Sequence, residues 1–168
     1  MKLVVRPATV NDIPSIVNVS SSSTAGVEIR GFTAPEWRVT YSSSAELKKE
    51  WASENRLKDG SEVVVVEKNG RIVGFIVFKM ELDYCYIDDV AVTRDEQGKG
   101  IGRTLVAHIE NVAKSKGCSL MKTDTTESAE GIPWKSYGFW TKLGYKDTGE
   151  RLTTKWDFKT IPFVRYLK

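Results

Sequence analysis

The sequence predicts an α/β (α+β) fold in a single domain, with a mixed, mostly antiparallel sheet flanked by helices. Three observations carry this reading. The run SEVVVVEKNGRIVGFIVFKM sets an Asn-Gly pair, Asn69 and Gly70, between two stretches rich in β-branched residues, which is a strong hairpin signal. The strand-like YCYIDDVAV, residues 84–92, is followed by one amphipathic helix pattern and then another strand pattern, so a single crossover helix predicts a parallel pair. The 168 residues, 40% of them hydrophobic, are enough for one core, and no repeat or linker divides residues 1–168.

Each element has its own signal. LVVRPAT opens the chain as a short strand that ends at Pro7, and Asn11 begins a helix with Ile13, Ile16, Val17 and Ser20 on one face. The serine-rich residues 20–24 read as a flexible connection. Ser44 suits a helix cap, and a second helix is predicted over residues 44–57, with Leu47 and Trp51 four apart. The hairpin and the strand over residues 84–92 follow. Residues 101–116 place Ile101, Leu105, Ile109, Val112 and Ala113 on one helical side, and Gly117 stops the pattern. Residues 120–125 form a short strand. Pro133 suits the first turn of a last helix ending at Leu143 and Gly144, and the tail alternates as strand through Trp156, Phe158, Phe163 and Tyr166.

Composition excludes several function classes. The formal charge is only +3, and Lys and Arg are interleaved with acids, so no nucleic-acid partner is expected. Cys85 and Cys118 form no C-x-x-C pair, and the single histidine, His108, cannot complete a usual zinc set with them, so no metal is expected. Both cysteines read as reduced packing residues. No signal-like N-terminal run and no membrane-length apolar stretch stands out, so a cytoplasmic protein without a membrane partner is expected.

Between the strand over residues 84–92 and the following helix lies RDEQGKGIGRTLV, with Gly98, Gly100 and Gly102 alternating beside Lys99 and Arg103. Glycines there bring backbone N–H groups close to an anion, and the N-terminus of the helix points its positive end at the same place. The P-loop pattern is absent, and the dinucleotide pattern fails because its third glycine falls on Arg103, which sets aside a nicotinamide-dependent oxidoreductase. A plain glycine turn is the alternative, but three alternate glycines beside two cations exceed what a turn requires.

Gln97-Gly98-Lys99-Gly100-Ile101-Gly102 resembles the [R/Q]-x-x-G-x-[G/A] signature of the GNAT superfamily of acetyl-CoA-dependent N-acetyltransferases. Phe139-Trp140-Thr141-Lys142-Leu143-Gly144-Tyr145 is similar to that family's F-Y-x-K-x-G-F segment, and the order of elements agrees along nearly the whole chain. The resemblance implies one N-acetyltransferase domain, with acetyl-CoA as co-substrate, no metal, and a splay between parallel strands at the cofactor site. The backbone N–H groups of Gln97, Gly98, Lys99, Gly100, Ile101 and Gly102 would hold the pyrophosphate, with charge added by Lys99 and Arg103. Val90, Ala91 and Val92 would hydrogen-bond the pantetheine arm like an added strand, and one of their N–H groups would polarise the thioester carbonyl.

The same resemblance makes Asp88 the general base and Asp89 the residue that meets the substrate ammonium; strand alternation expects only one of the two to face the cleft. The family's usual tyrosine acid falls on Trp140, which cannot donate a proton in that sense, so Tyr137, three residues earlier, is the substitute. Pro133 stands where many relatives have an asparagine that contacts coenzyme A. Trp37, Arg38, Tyr41 and Trp51 fall on the acceptor side. The acceptor would be a primary amine of a small molecule or of a protein, and the acids Glu81, Asp83, Asp88 and Asp89 favour a cationic one. Neither cysteine is placed to carry an acyl group, so direct attack in a ternary complex is expected. A non-catalytic acyl-CoA-binding regulatory module on the same fold is the alternative, favoured by Trp140. Edge strands near the C-terminus leave a homodimer open.

Overall fold

Asn69 and Gly70 take left-handed backbone angles, φ 53° and 77°, so β4 (Glu62–Lys68) turns directly into β5 (Arg71–Met80), as the Asn-Gly pair predicts. The computed structural model describes residues 2–24 and 41–168. Around this hairpin the described chain runs β1 (Leu3–Pro7), α1 (Ile13–Ser23), α2 (Ser44–Glu50), β2 (Trp51–Ser53) and β3 (Arg56–Leu57) before it. After it come β6 (Tyr84–Val92), α3 (Ile101–Ser115), β7 (Leu120–Glu127), α4 (Ser136–Lys142), β8 (Lys146–Asp147), β9 (Leu152–Thr153) and β10 (Lys159–Tyr166).

The strands form one sheet in the order β2-β3-β4-β5-β6-β7-β10-β8, with β1 added on β4 and β9 on β10. Every pairing is antiparallel except β6 with β7, the pair joined through α3. That is the mixed sheet expected from hairpins and one crossover helix. No helix among the described residues is long and apolar enough to cross a membrane.

The run of four valines in β4 is apolar at every position because both faces of the sheet are covered. Val64 and Val66 face α3, where Ile101, Leu105, Val106, Ile109 and Ala113 complete a core with Ile76, Ile87, Met121 and Phe163. Val63 and Val65 face the other way, onto Ile13, Ile16 and Val19 of α1 and Leu47 of α2.

One irregularity reorganises β6. Val77 pairs with Asp89 and Phe78 with Ile87, so Asp88 is an extra residue, a β-bulge. Before it, Cys85 and Ile87 pack on the α3 side. After it, Val90 and Val92 do so, while Ala91 turns to the α1 side. The bulge therefore reverses which residues face which layer.

Five predicted boundaries are corrected. The serine run expected as a flexible connection continues α1 to Ser23, with Ser20 buried and the Ser23 hydroxyl donating to the Ser20 carbonyl at 3.0 Å. The second helix ends at Glu50 and not at residue 57: Glu54 takes φ 50°, the Trp51 indole donates to the Glu54 carbonyl at 2.8 Å, and β2 and β3 form a small hairpin. Trp51 is buried in the α1-side core beside Leu47. β7 runs on to Glu127 because β10 pairs with it along its whole length. Pro133 lies outside the last helix, bridging to Glu127, and that helix starts at Ser136. Trp156 and Phe158 precede β10 in a turn closed by the Thr154 hydroxyl, which donates to the Phe158 carbonyl at 2.7 Å; β10 turns Ile161 and Phe163 inward and leaves Tyr166 exposed.

Leu105 is fully buried between α3 and the sheet. Leu105→Ala is expected to cost about 2–5 kcal/mol, read as a lower urea midpoint with an unchanged slope.

Candidate active site

β6 and β7 part halfway along. Their ladder runs from Tyr84 opposite Leu120 to Tyr86 opposite Lys122, and the Thr123 hydroxyl then donates to the Ile87 carbonyl at 2.9 Å. Beyond this point β6 stays with β5, β7 stays with β10, and a cleft of about 670 Å³ opens between them. Asp88, Asp89, Val90, Ala91 and Val92 line one side of it, and Gln97, Gly98, Gly100, Ile101, Gly102 and Arg103 line its end. Two of the residues singled out from the sequence stand apart. The Lys99 ammonium lies 3.5 Å from Glu96, which also pairs with Lys68 at 2.7 Å. Tyr137 donates its phenol hydrogen to Asp147 at 2.9 Å and packs edge-on against Phe163. In so short a helix its place in the first turn sets it over β8 and β10, away from the cleft, whereas Trp140 is buried in the cleft wall. Tyr137 is therefore not brought to the reacting groups.

The glycine stretch divides its work. Gly98 and Gly100 take φ 78° and 85°, a region costly for side-chain-bearing residues, and a Cβ at either would meet nothing. At Gly102 the constraint is packing: a Cβ there would lie 3.0 Å from the Phe139 ring of α4. The first helical bond of α3 runs from the Thr104 N–H to the Gly100 carbonyl at 3.0 Å, so the N–H groups of Ile101, Gly102 and Arg103 precede the ladder. The Gln97 side chain holds the loop in place, donating to the Val92 carbonyl at 2.9 Å and to the Ser23 carbonyl at 3.0 Å. Lys135 donates to the same Ser23 carbonyl at 3.0 Å, at the negative end of α1, and burial in the cleft wall, with Arg94 nearby, lowers its pKa. Sequence reasoning did not find Lys135 or Ser23; nothing local marks either one.

Both aspartates of the pair line the cleft, contrary to simple alternation, because Asp88 is itself the bulged residue and interrupts the alternation at Asp89. Asp88 is open to solvent at the cleft, yet desolvation by the surrounding cleft walls raises its carboxyl above the usual range, with Asp59 adding repulsion. Asp124 on β7 lines the same cleft and accepts a hydrogen bond from the Tyr86 phenol. Its pKa is also raised, by burial and by the charge on Asp88, while the phenol opposes the rise. Asp124 was missed from sequence; its signal is an acid in the middle of a strand, level with Asp88 once the parallel register is known. Tyr41 packs against Phe75 in the α1-side core, and burial together with Asp89 and Asp88 raises its phenol. Glu81 and Asp83 sit in the turn before β6 and do not line the cleft; of the four acids that do, Glu96 is paired with Lys68 and Lys99, which leaves Asp88, Asp89 and Asp124 as the acidic group. Trp37 and Arg38 lie outside the described residues. Among the described residues no group of three or more His, Cys, Asp or Glu side chains is placed to hold a metal ion.

The model of the acetyltransferase (GNAT) family matches residues 27–145. Glucosamine 6-phosphate N-acetyltransferase of Candida albicans is 34% identical over 70 residues, 42% of this chain and 42% of that protein. The chain spans about half the length of the curated relatives it matches. Among solved structures, a GCN5-related N-acetyltransferase of Rhodopseudomonas palustris superposes with a TM-score of 0.76 at 20% identity, over 99% of this chain and 97% of that one. The PaiA N-acetyltransferase of Thermoplasma acidophilum, solved with coenzyme A, superposes at 0.70 with 18% identity, over 96% and 98%. At these identities the likeness establishes a shared fold.

The contact between Gly102 and Phe139 makes a specific prediction. Gly102→Ala is expected to destabilise by about 1–3 kcal/mol through overpacking, and Phe139→Leu in the same chain is expected to recover part of the loss. Thermal unfolding of the two single variants and the double variant measures this; additive losses would show that the two sites do not press on each other.

Proposed function

The chain belongs to the acetyltransferase (GNAT) family, and from that premise we propose that it moves an acetyl group from acetyl-CoA to a primary amine by direct attack in a ternary complex. One observation carries the reading: β6 and β7 part beside a left-handed glycine loop that opens a helix, so unpaired strand backbone and helix N–H groups face one cleft. The free edge of β6 over Val90, Ala91 and Val92 suits an extended arm with amide groups, and the N–H groups from Gln97 to Gly102 suit a pyrophosphate. Arg103, on the cleft rim, adds charge. Residues 1–168 would form the single domain that does this, in the cytoplasm.

Asp88 takes a proton from the incoming ammonium. The freed lone pair attacks the thioester carbon, so a C–N bond forms; the C–S bond breaks, and the sulfur leaves as thiolate. The nitrogen then loses its second proton, which the thiolate takes, giving amide and free thiol. An N–H of the Val90–Val92 stretch polarises the carbonyl, and Asp89 helps to receive the ammonium. The acceptor is an amine of a small molecule or of a protein; the named activity of the curated relatives, on an amino sugar phosphate, supports the first. A non-catalytic acyl-CoA-binding module is the second reading, favoured by Tyr137 facing Asp147 and by a buried Trp140 in the cleft wall.

Calorimetric titration with acetyl-CoA, followed by a thiol-release assay across amines, separates the two readings: binding without release supports the module. In the enzyme, Asp88→Asn is expected to lower turnover about 10²–10⁴-fold while leaving acetyl-CoA affinity nearly intact. Because Asp88 must be ionised to act and desolvation raises its pKa, kcat/KM should fall with acid at a pH above the usual carboxylate range. Identical pH profiles for variant and parent would remove Asp88 from the mechanism.

A further inference from the structure

Asp124 is the one member of the cleft's acidic group to which the proposed reaction gives no task. It sits on β7, two residues past the last rung of the parallel ladder, and Asp88 sits two residues past the same rung on β6. Both carboxylates therefore line the cleft where the strands separate, near enough for the charge on Asp88 to act on Asp124. Tyr86 stands on that last rung, and its phenol reaches diagonally across the pair to donate to Asp124. Among the described residues, the groups around Asp124 are engaged elsewhere or have no hydrogen to give. Lys122, on its own strand, places its ammonium 4.2 Å over the Tyr84 ring. β10 presents Pro162 directly opposite, which has no N–H to give. Asp88 and Asp89 line β6, Asp59 acts on Asp88, and the Lys135 ammonium donates to Ser23. Among the described residues no cation lowers the Asp124 pKa, and the phenol is the only group that does.

Two carboxylates that line one cleft repel each other, so each is harder to ionise beside the other's charge, and a cation entering between them relieves that repulsion. A phenol that donates to one of them favours its charged form. It also fixes the direction of that carboxylate, since one oxygen is spoken for and the other is left toward the cleft.

We propose that Tyr86 is a positioning residue that presents Asp124, ionised and aimed into the cleft, so that the acceptor amine enters as a cation seated between Asp124 and Asp88. Asp124 binds the ammonium and Asp88 removes its proton. This rests on the acetyl-transfer reading for its purpose, but the hold of Tyr86 on Asp124 stands on the geometry alone. It also selects a substrate class: a protonated amine is drawn in, and an acceptor with negative charge next to its amine is repelled.

The test compares the parent with Tyr86→Phe, Asp124→Asn and the double variant, each checked for native circular dichroism. Carboxyl-carbon NMR titration of the ligand-free protein is expected to show the Asp124 midpoint moving to higher pH in Tyr86→Phe. In the thiol-release assay, KM for the amine is expected to rise about tenfold to a hundredfold, the range of a lost hydrogen bond to a charged group, and the acid limb of kcat/KM to move up in pH. In the Asp124→Asn background, Tyr86→Phe should add almost nothing. An unmoved Asp124 midpoint, or an equal effect of Tyr86→Phe with and without Asp124, would overturn the proposal, the second by showing that Tyr86 only packs. A parent that releases no thiol with any amine would defeat the acetyl-transfer reading instead, and the NMR titration would still decide what Tyr86 does.

Discussion

The parting of β6 from β7 is the constraint on which the rest of the site depends. Past the last shared rung β6 stays paired with β5 and β7 with β10, so each strand keeps one bonded edge and turns a free edge to the other. The bulge at Asp88 falls just past the last shared rung and adds local twist where the strands separate. It also reverses the alternation of β6, bringing Val90 and Val92 onto the α3 layer and leaving the Asp88–Val92 backbone at the cleft. That one displaced residue thus sets which β6 side chains and which stretch of strand edge the cleft receives.

The glycine loop is held at this opening from several directions. Gln97 joins it to the end of β6 and to α1, and Gly102 lets α4 press its Phe139 ring close to α3. The turn that leads into the loop is clamped to the hairpin through Lys68 and Glu96, a pair largely shielded from water. Glycine lets the backbone take its left-handed turns at Gly98 and Gly100 without strain. Glu96 also engages Lys99, which leaves the backbone, more than that side chain, to define the anion-facing surface.

The carboxylates divide into two kinds. Asp12 and Asp147 are held below the usual range by the guanidinium groups of Arg6 and Arg151, with Asp147 lowered to about 2. They add stability above the ordinary carboxylate pKa and lose it as the pH falls through their lowered values. Asp88 and Asp124 are raised, so the folded chain binds their protons more tightly than the unfolded chain does. Their contribution is lost as the pH rises from the ordinary carboxylate value through the raised one. The stability given up there leaves the cleft with proton-hungry carboxylates.

Local patterns determined much of this protein from sequence. The Asn69-Gly70 turn, the paired valine strands, the amphipathic α3 and the glycine loop with its left-handed positions depend on neighbours in the chain, and each was legible because its cause is local. The spacing of Leu47 and Trp51 fits a helix as well as it fits a helix followed by a strand, and the left-handed turn at Glu54, with the pairing of Trp51 and Leu57, chooses between them. Tyr137 lay at helical spacing from Trp140, but Asp147 and Phe163, distant in sequence, turned it elsewhere. The bulge at Asp88 and the nearness of Asp88, Asp124 and Tyr86 are matters of register between strands joined through a helix. Register is set by cores on both faces of the sheet and not by any short stretch of residues. The sequence by itself therefore determined the elements and the anion-facing loop, while the tertiary structure decided which acids share the cleft and which aromatic holds them.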